Sequence, residues 1–490
     1  MTVATDVVDS VDPTESDKSA GTANGKTPLI VMLLVAATFV VILNETIMIN
    51  AMPRLMIDFD VTARTAQWLS SVFMLTMAAV IPITGWFLQR VSTRTAFTVA
   101  MVTFGTGTAL AGLAPTFEVL LGARGIQAAG TAVMMPLLMT TLMQVVPEQD
   151  RGRVMGNVTL AISVAPALGP AISGLILQLG SWRLIFAFVL PVAAGVTVFG
   201  LRHLKNVGET KVGPVSWISV ALAGFGFAAL VYGLSEIGAR SGGQLSVIIG
   251  IGVVLVAAFV AYQLRLQSSG SPLLDLRTLK HRNYTVTLVL MAVALMAFLG
   301  SMILLPLYLQ DIRGLSAVQT GLLVMPGGIA MGVLGPRVGR IYDLKGARPL
   351  VIPGAIVMVA SLGALSRIQA DTPYALILAA HVVLMVSLAA IFTPVFTLGL
   401  GDLTPELYSH GSSLLGTLQQ VAGAVGTAAL IVILTNRSAN LAEHGSAPDA
   451  AFVGGLQWAF IAGAVLGVIV VALSLLLPPK REGAPVGVHH

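Results

Sequence analysis

Residues 339–348 read Gly339-Arg340-Ile341-Tyr342-Asp343-Leu344-Lys345-Gly346-Ala347-Arg348, a charged break between two long apolar runs. Residues 85–94 read Gly85-Trp86-Phe87-Leu88-Gln89-Arg90-Val91-Ser92-Thr93-Arg94 and fit the same frame: Gly, then a polar residue four on, then a small one, then Arg. The leading glycine lets helices approach closely. An acid such as Asp343 can accept hydrogen bonds at the start of the next helix and pair with an arginine, which makes the loop a tight turn with a charge latch. One such loop carries little weight. Two of them, each following the second span of a series, point to a duplicated unit.

Outward from these loops the chain is a succession of apolar stretches, each long enough to cross about 30 Å of hydrocarbon as a helix. They cover 29–51, 66–88, 95–114, 117–145, 154–179, 183–202, 214–237, 244–265, 284–310, 318–339, 349–367, 373–400, 410–435 and 451–477, fourteen in all. Eight spans separate the two loops. That spacing predicts two six-helix bundles, 29–205 and 271–478, with two inserted helices in 206–270 and polar tails at 1–28 and 479–490. The runs lack the two-residue alternation of a barrel, and helices satisfy their own backbone groups in lipid. The expected fold class is an all-α polytopic membrane protein.

Composition agrees. Of 490 residues, 56% are hydrophobic and 10% charged. Soluble domains carry roughly 25% charged residues, so this chain could not cover a water-facing surface. It has no cysteine, which excludes disulfides, thiolate catalysis and cysteine metal sites. The net charge of +5 serves orientation. With a cytoplasmic N-terminus, 18 of the 27 Lys and Arg fall in cytoplasmic tails and loops and 7 in outer ones. An even number of spans then puts both termini in the cytoplasm. No soluble module carries a basic cluster, so nucleic acid is not an expected partner. The first 28 residues lack the basic n-region of a signal peptide and read as a disordered tail.

The fifth span carries a second signal: Gly156-x8-Ala165-Pro166-x2-Gly169-Pro170-x2-Ser173-Gly174. Ala161, Ala165, Gly169 and Ser173 form one row at helical spacing, with Pro166, Pro170 and Gly174 beside it. A small face permits close packing, and the prolines remove helix hydrogen bonds and permit bending.

These features together resemble the major facilitator superfamily, in its fourteen-helix drug/proton antiporter branch. The resemblance spans 29–477 and rests on Leu43-Asn44-Glu45-Thr46 through Pro53, the two loops, Arg124-x2-Gln127, the 156–174 run, Leu307-Tyr308-Leu309-Gln310, Pro326-Gly327-Gly328 and Gln419-Gln420. It implies the major-facilitator fold and alternating access, with Gly85, Arg90, Arg94, Gly156, Pro166, Gly169, Pro170, Gly174, Gly339, Arg340, Asp343, Gly346 and Arg348 in the moving or gating parts. The chain departs from the family pattern at Gln89, Ser92, Ala128, Ala165 and Ser173. In the first span the acid stands at Glu45, next to Asn44 in the usual acid position.

Acids within spans are functional suspects by default. Nearly all of the 22 Asp and Glu fall in tails, loops or span ends. Glu45 is the exception, about 16 residues into its span with apolar neighbours, where the cost of charging a carboxyl suits a proton carrier. Arg124 is its expected partner. It shares one face of the fourth span with Gln127, Thr131 and Met135, and the resemblance implies that it couples proton movement to conformational change. A substrate pocket between the halves draws on Asn44, Met48, Phe73, Gln127, Met134, Met135, Tyr308, Phe392 and Gln419, since methionine and aromatic side chains suit adaptable apolar recognition. His381 reads as structural.

The leading expectation is a bacterial inner-membrane antiporter that exports amphipathic or cationic drugs against protons, a multidrug-efflux and antibiotic-resistance function. A dedicated exporter of one metabolite, lipid or peptide-like product is the alternative, and a channel would lack proton coupling. No phosphate-binding loop supports ATP-driven pumping, and no metal cluster or nucleophile–base pair supports an enzyme. No cofactor is expected; the partners are membrane lipid, protons and small amphipathic substrates.

Overall fold

The computed structural model describes residues 27–208, 210, 213–237, 243–269 and 272–479. The expected tail 1–28 lies almost wholly outside the described residues, as does the tail from 480 onward. Among the described residues, fourteen helices are long and apolar enough to cross a membrane. They are α1 (Leu29–Ile47), α3 (Ala63–Arg90), α4 (Thr93–Gly112), α5 (Phe117–Val145), α6 (Arg151–Gln178), α7 (Arg183–His203), α8 (Trp217–Ser235), α9 (Gly243–Ser269), α10 (Arg282–Leu307), α11 (Ala317–Lys345), α12 (Arg348–Leu365), α13 (Tyr374–Gly401), α14 (Tyr408–Glu443) and α15 (Pro448–Ser474), with the short α2 (Met52–Asp58) after α1.

Helix starts follow local chemistry. Thr62, Ser92 and Thr116 accept from the backbone N–H three residues on, capping α3, α4 and α5. Ser316 and Gln319 form a capping box at α11. At the other end of α11, Gly346 has φ +79°, a backbone that favours glycine. Ser92 stands at the matching place in the first loop with φ −65° and caps α4 instead, so the two loops turn differently. The first span also departs from expectation. Its α-helix ends at Ile47, passes through a 3-10 turn at Met48–Ala51 and restarts as α2 with Pro53 in its first turn, where a missing N–H costs nothing. Trp182 Nε1 holds α2 by donating to Asp58 Oδ2 at 2.8 Å.

One apolar core is built mainly by α1 to α7 and a second by α10 to α15. A third joins Ala78 of α3, Phe227 of α8, Phe259 of α9, Leu273 and Leu274 of the following loop, and Ala424 of α14. The outer faces expose side chains such as Phe225, Val253, Val254 and Val468, as a surface in hydrocarbon does.

The two large units meet along two seams. On one, α6 packs against α11; on the other, α3 packs against α14. Each pairs the second long helix of one unit with the fifth of the other. At the first seam Gly152 and Gly156 lie against Gly339 and Gly335. A Cβ at 339 would stand 2.6 Å from the carbonyl carbon of Gly152, closer than any real side chain comes. At the second, Ser413 Oγ donates to the Ile81 carbonyl at 2.6 Å. Both seams close toward one face, where Asn157 Nδ2 donates to Thr27 Oγ1 at 3.0 Å and Pro479 comes near Asp343. Both ends of the described chain therefore lie on this terminal face.

Candidate functional site

Three arrangements bear on function: a buried polar cluster, a cavity between the units, and the loops at the seams. The cluster unites α1, α4 and α5. Arg124 Nη1 donates to Gln127 Oε1 at 2.9 Å, while Gln127 Nε2 donates to Thr108 Oγ1 at 2.8 Å and reaches Asn44 Oδ1 at 3.5 Å. The Arg124 guanidinium lies 4.3 Å from the centre of the Phe73 ring, a cation–π contact. Arg124 is 2% exposed and Gln127 fully buried. Glu45 is half-buried one residue from Asn44 and interacts electrostatically with Arg124 without closing an ion pair. Asn44 Nδ2 and Arg124 Nε are enclosed without a hydrogen bond. Unspent buried donors are costly, so the network is incompletely paired in this conformation.

The cavity, about 380 Å³, opens between α5 and α6 of the first unit and α10, α11, α13 and α14 of the second. Its wall includes Met135, Met291, Met302, Met325, Met331 and Met385, together with Phe298 and Phe392 packed edge to face at 6.0 Å. Polar groups are few: Thr159, Ser163, His381 and Gln419. Of the residues expected at a pocket, Met135, Phe392 and Gln419 line it. Met48, Phe73, Met134 and Tyr308 do not; each is packed in an interior. Phe73 supports Arg124. Tyr308 closes the end of α10 by donating to the Gln369 carbonyl at 2.7 Å. Asn44 and Gln127 serve the cluster. From Arg124 to Met135 is eleven residues of α5, about 16 Å at 1.5 Å per residue, so cluster and cavity are separate sites on one helix. His381, read from sequence as structural, lines the cavity. The sequence gives no sign that Met135 rather than Met134 does so, because α5 is enclosed on nearly every side and shows no polar stripe.

The loops hold the seams. Asp343 accepts from the backbone N–H of Gly152 and of Arg153, each at 2.8 Å, capping α6 in the opposite unit. The sequence placed these bonds on the following helix; the structure places them across the seam, where Gly152 and Gly339 bring the two backbones together. Gln89, at the matching position, donates to the Glu406 carbonyl just before α14 at 2.7 Å. The arginines do other work. Arg90 stacks on Trp86 and donates to the Gly213 carbonyl at 3.0 Å, and the Arg94 N–H donates to Asn206 Oδ1 at 3.3 Å, so both hold the linker to α8. Arg348 donates to the Leu475 carbonyl at 3.1 Å, and Arg340 is exposed. Gly85 faces His410 and Ser413. In the 156–174 run α6 is unbroken; Gly156 meets α11, Gly169 meets Thr46 of α1, Pro166 lines the cavity and Gly174 faces open space. The side chain of Pro170 lies outside the described residues.

Two helical units that meet along two seams beside an apolar cavity are the architecture of a membrane transporter. The sequence profile of the Major Facilitator Superfamily matches residues 34–427, and the chain belongs to that family. It is a multi-pass membrane transporter of small molecules and not an enzyme. It is 36% identical over 93% of its length to the MFS-type transporter YcnB of Bacillus subtilis, covering 96% of that protein. It is also 36% identical over 92% of its length to the lincomycin resistance protein LmrB of Listeria monocytogenes, again covering 96%. The structure superimposes on the human organic anion transporter MFSD10 with a TM-score of 0.68 at 14% identity, covering 91% of this chain and all of that one.

Proposed function

We propose that the protein exports amphipathic and cationic drugs across the bacterial cytoplasmic membrane in exchange for protons. The observation that carries this reading is the cavity itself. Six methionines and three phenylalanine rings make a wall that can re-pack around apolar bodies of different shape. The likeness to a lincomycin resistance protein supports a drug as cargo. Glu45 is the proton carrier, with Arg124 as the charge that responds to its loading, and both termini are cytoplasmic. On this reading the sealed terminal face is the cytoplasmic one and the conformation is the one that releases cargo outward. Asp343, Gly152 and Gly339 hold it.

The test is transport in proteoliposomes with an imposed pH gradient, using ethidium and lincomycin as cargo. Wild-type protein should move cargo only with the gradient, and Glu45→Gln should lose at least tenfold of the gradient-driven rate while still binding cargo. Gradient-driven transport by Glu45→Gln at the wild-type rate refutes the role of Glu45. Wild-type flux independent of the gradient refutes proton coupling. Silence on all drugs points to one dedicated product.

A further inference from the structure

Among the described residues His381 is the one ionisable side chain on the cavity wall, surrounded there mainly by methionine and phenylalanine. It sits on α13, 4% exposed. Its Nε2 lies 3.2 Å from the Val324 carbonyl oxygen of α11. A carbonyl can only accept, so Nε2 carries the proton and donates. In the neutral ring that leaves Nδ1 with a lone pair and no proton. No hydrogen bond is made to Nδ1, yet it is not among the fully enclosed, unpartnered polar atoms. The His381 side chain itself lines the cavity.

Two neighbours make this a built position. Gly327 stands against the imidazole, where a Cβ would come within 2.6 Å of Cδ2 and Nε2, so the ring occupies space that any other residue at 327 would fill. The next residue, Gly328, touches α6: a Cβ there would lie 3.3 Å from the Ser163 carbonyl and 3.0 Å from Ala167 Cβ. Thus His381 of the second unit and Ser163 of the first flank adjacent residues of α11, at one level of the cavity. The Ser163 hydroxyl is buried there without a partner. Leaving such a group unpaired is costly, and a bound donor or acceptor recovers the loss.

We propose that His381 Nδ1, backed by the enclosed and unpartnered Ser163 hydroxyl of the facing unit, forms a polar subsite that accepts a hydrogen-bond donor, an amine or hydroxyl, of an otherwise apolar cargo. This rests on the cargo class proposed above and narrows it: the methionine wall admits many shapes, and the subsite selects those with a donor. Because its members come from different units, cargo held there is gripped by both.

The experiment uses two lipophilic permanent cations. Ethidium carries two aryl amines that donate hydrogen bonds; tetraphenylphosphonium carries no donor. Equilibrium binding to purified protein is measured for wild type, His381→Phe, His381→Asn and Ser163→Ala. Asparagine can present a side-chain acceptor in place of Nδ1. His381→Phe should weaken ethidium about tenfold and leave tetraphenylphosphonium within twofold. Ser163→Ala should act in the same direction by a smaller factor, and His381→Asn should restore part of the loss. Equal weakening of both probes by His381→Phe overturns the subsite and makes His381 a packing residue. Unchanged ethidium binding in His381→Phe overturns it as well. Wild-type protein that binds neither cation overturns the drug reading of the cavity and the subsite with it.

Discussion

Substituting Gly339 by alanine should open the terminal face. The new Cβ would stand 2.6 Å from the Gly152 carbonyl carbon and 3.0 Å from Arg153 Cα, where ordinary contact begins at 3.4 Å. Every atom it meets is backbone of an α-helix, which cannot swing aside as a side chain can. The helices must therefore part by at least about 0.8 Å, the difference between ordinary contact and the smaller of these distances. Asp343 lies one turn further along α11, and its two bonds to the Gly152 and Arg153 N–H groups are already at 2.8 Å. Parting the helices lengthens both. Hydrogen bonds to a charged acceptor contribute about 1.5–3 kcal/mol each, and half exposure brings the pair to about 3 kcal/mol. At about 1.4 kcal/mol per tenfold, that shifts the balance between closed and open terminal face by about a hundredfold. The chain has no cysteine, so two introduced ones are the only labels. Spin labels at exposed Gln149 and Lys345, one on each side of the seam, report the separation directly by double electron–electron resonance. Gly339→Ala should move the distance distribution to longer values, and Asp343→Asn should do so less. A distribution for Gly339→Ala that overlies the parent would refute the claim that backbone contact at this seam holds the face shut.

Three further outcomes follow from other parts of the molecule. Gln127→Ala removes the partner of Arg124, Thr108 and Asn44 at once, so it should lower thermal stability in detergent by about 1–3 kcal/mol and cut transport at least tenfold. Gly130→Ala would place a Cβ 2.6 Å from the backbone nitrogen of Phe104 in α4, so its melting temperature should fall without a selective change in cargo preference. Asp275, in the loop before α10, is opposed by burial, but hydrogen bonds from the Arg277 side chain and backbone and the nearby charges of His410 and Arg277 outweigh it and hold the carboxyl below its ordinary value of 3.8. Its contribution to holding that loop is therefore complete above pH 3.8 and is lost as pH falls through the lower folded value; protease nicking near 275 should rise only below about pH 4, and at neutral pH in Asp275→Asn.

The number of spans was legible because a spanning run announces itself by length and apolarity alone. The end of the first was not: the run reads as one span to 51, and only the geometry shows the α-helix stopping at Ile47 and giving way to a 3-10 turn at Met48–Ala51. Glu45 and Arg124 could be singled out because charge within a span is rare, and Gln127 followed from helical spacing. The partners of Asp343 were beyond reach, since 190 and 191 residues separate the bonded groups and no local pattern encodes which helix start an acid will cap. Met134 and Met135 are adjacent and identical in type. One is core and the other cavity wall, a distinction set by helices that pack from elsewhere in the chain.

The inserted helices give the two seams different mechanics. Helix α8 rests on both α3 and α14, and the small core it shares with α9 and the Leu273–Leu274 loop crosses that seam. Gln263 Oε1 of α9 accepts from both leucine N–H groups of the loop, at 2.8 and 3.2 Å, tying the crossing to α9. No comparable strap covers α6 and α11 among the described residues. A twelve-helix transporter with equal seams can rock evenly about its centre. Here one edge is taped, so the units should swing about the α3–α14 side like covers about a spine, with the larger opening at the glycine contacts of α6 and α11. Large cargo would then pass nearer one edge of the molecule than its axis.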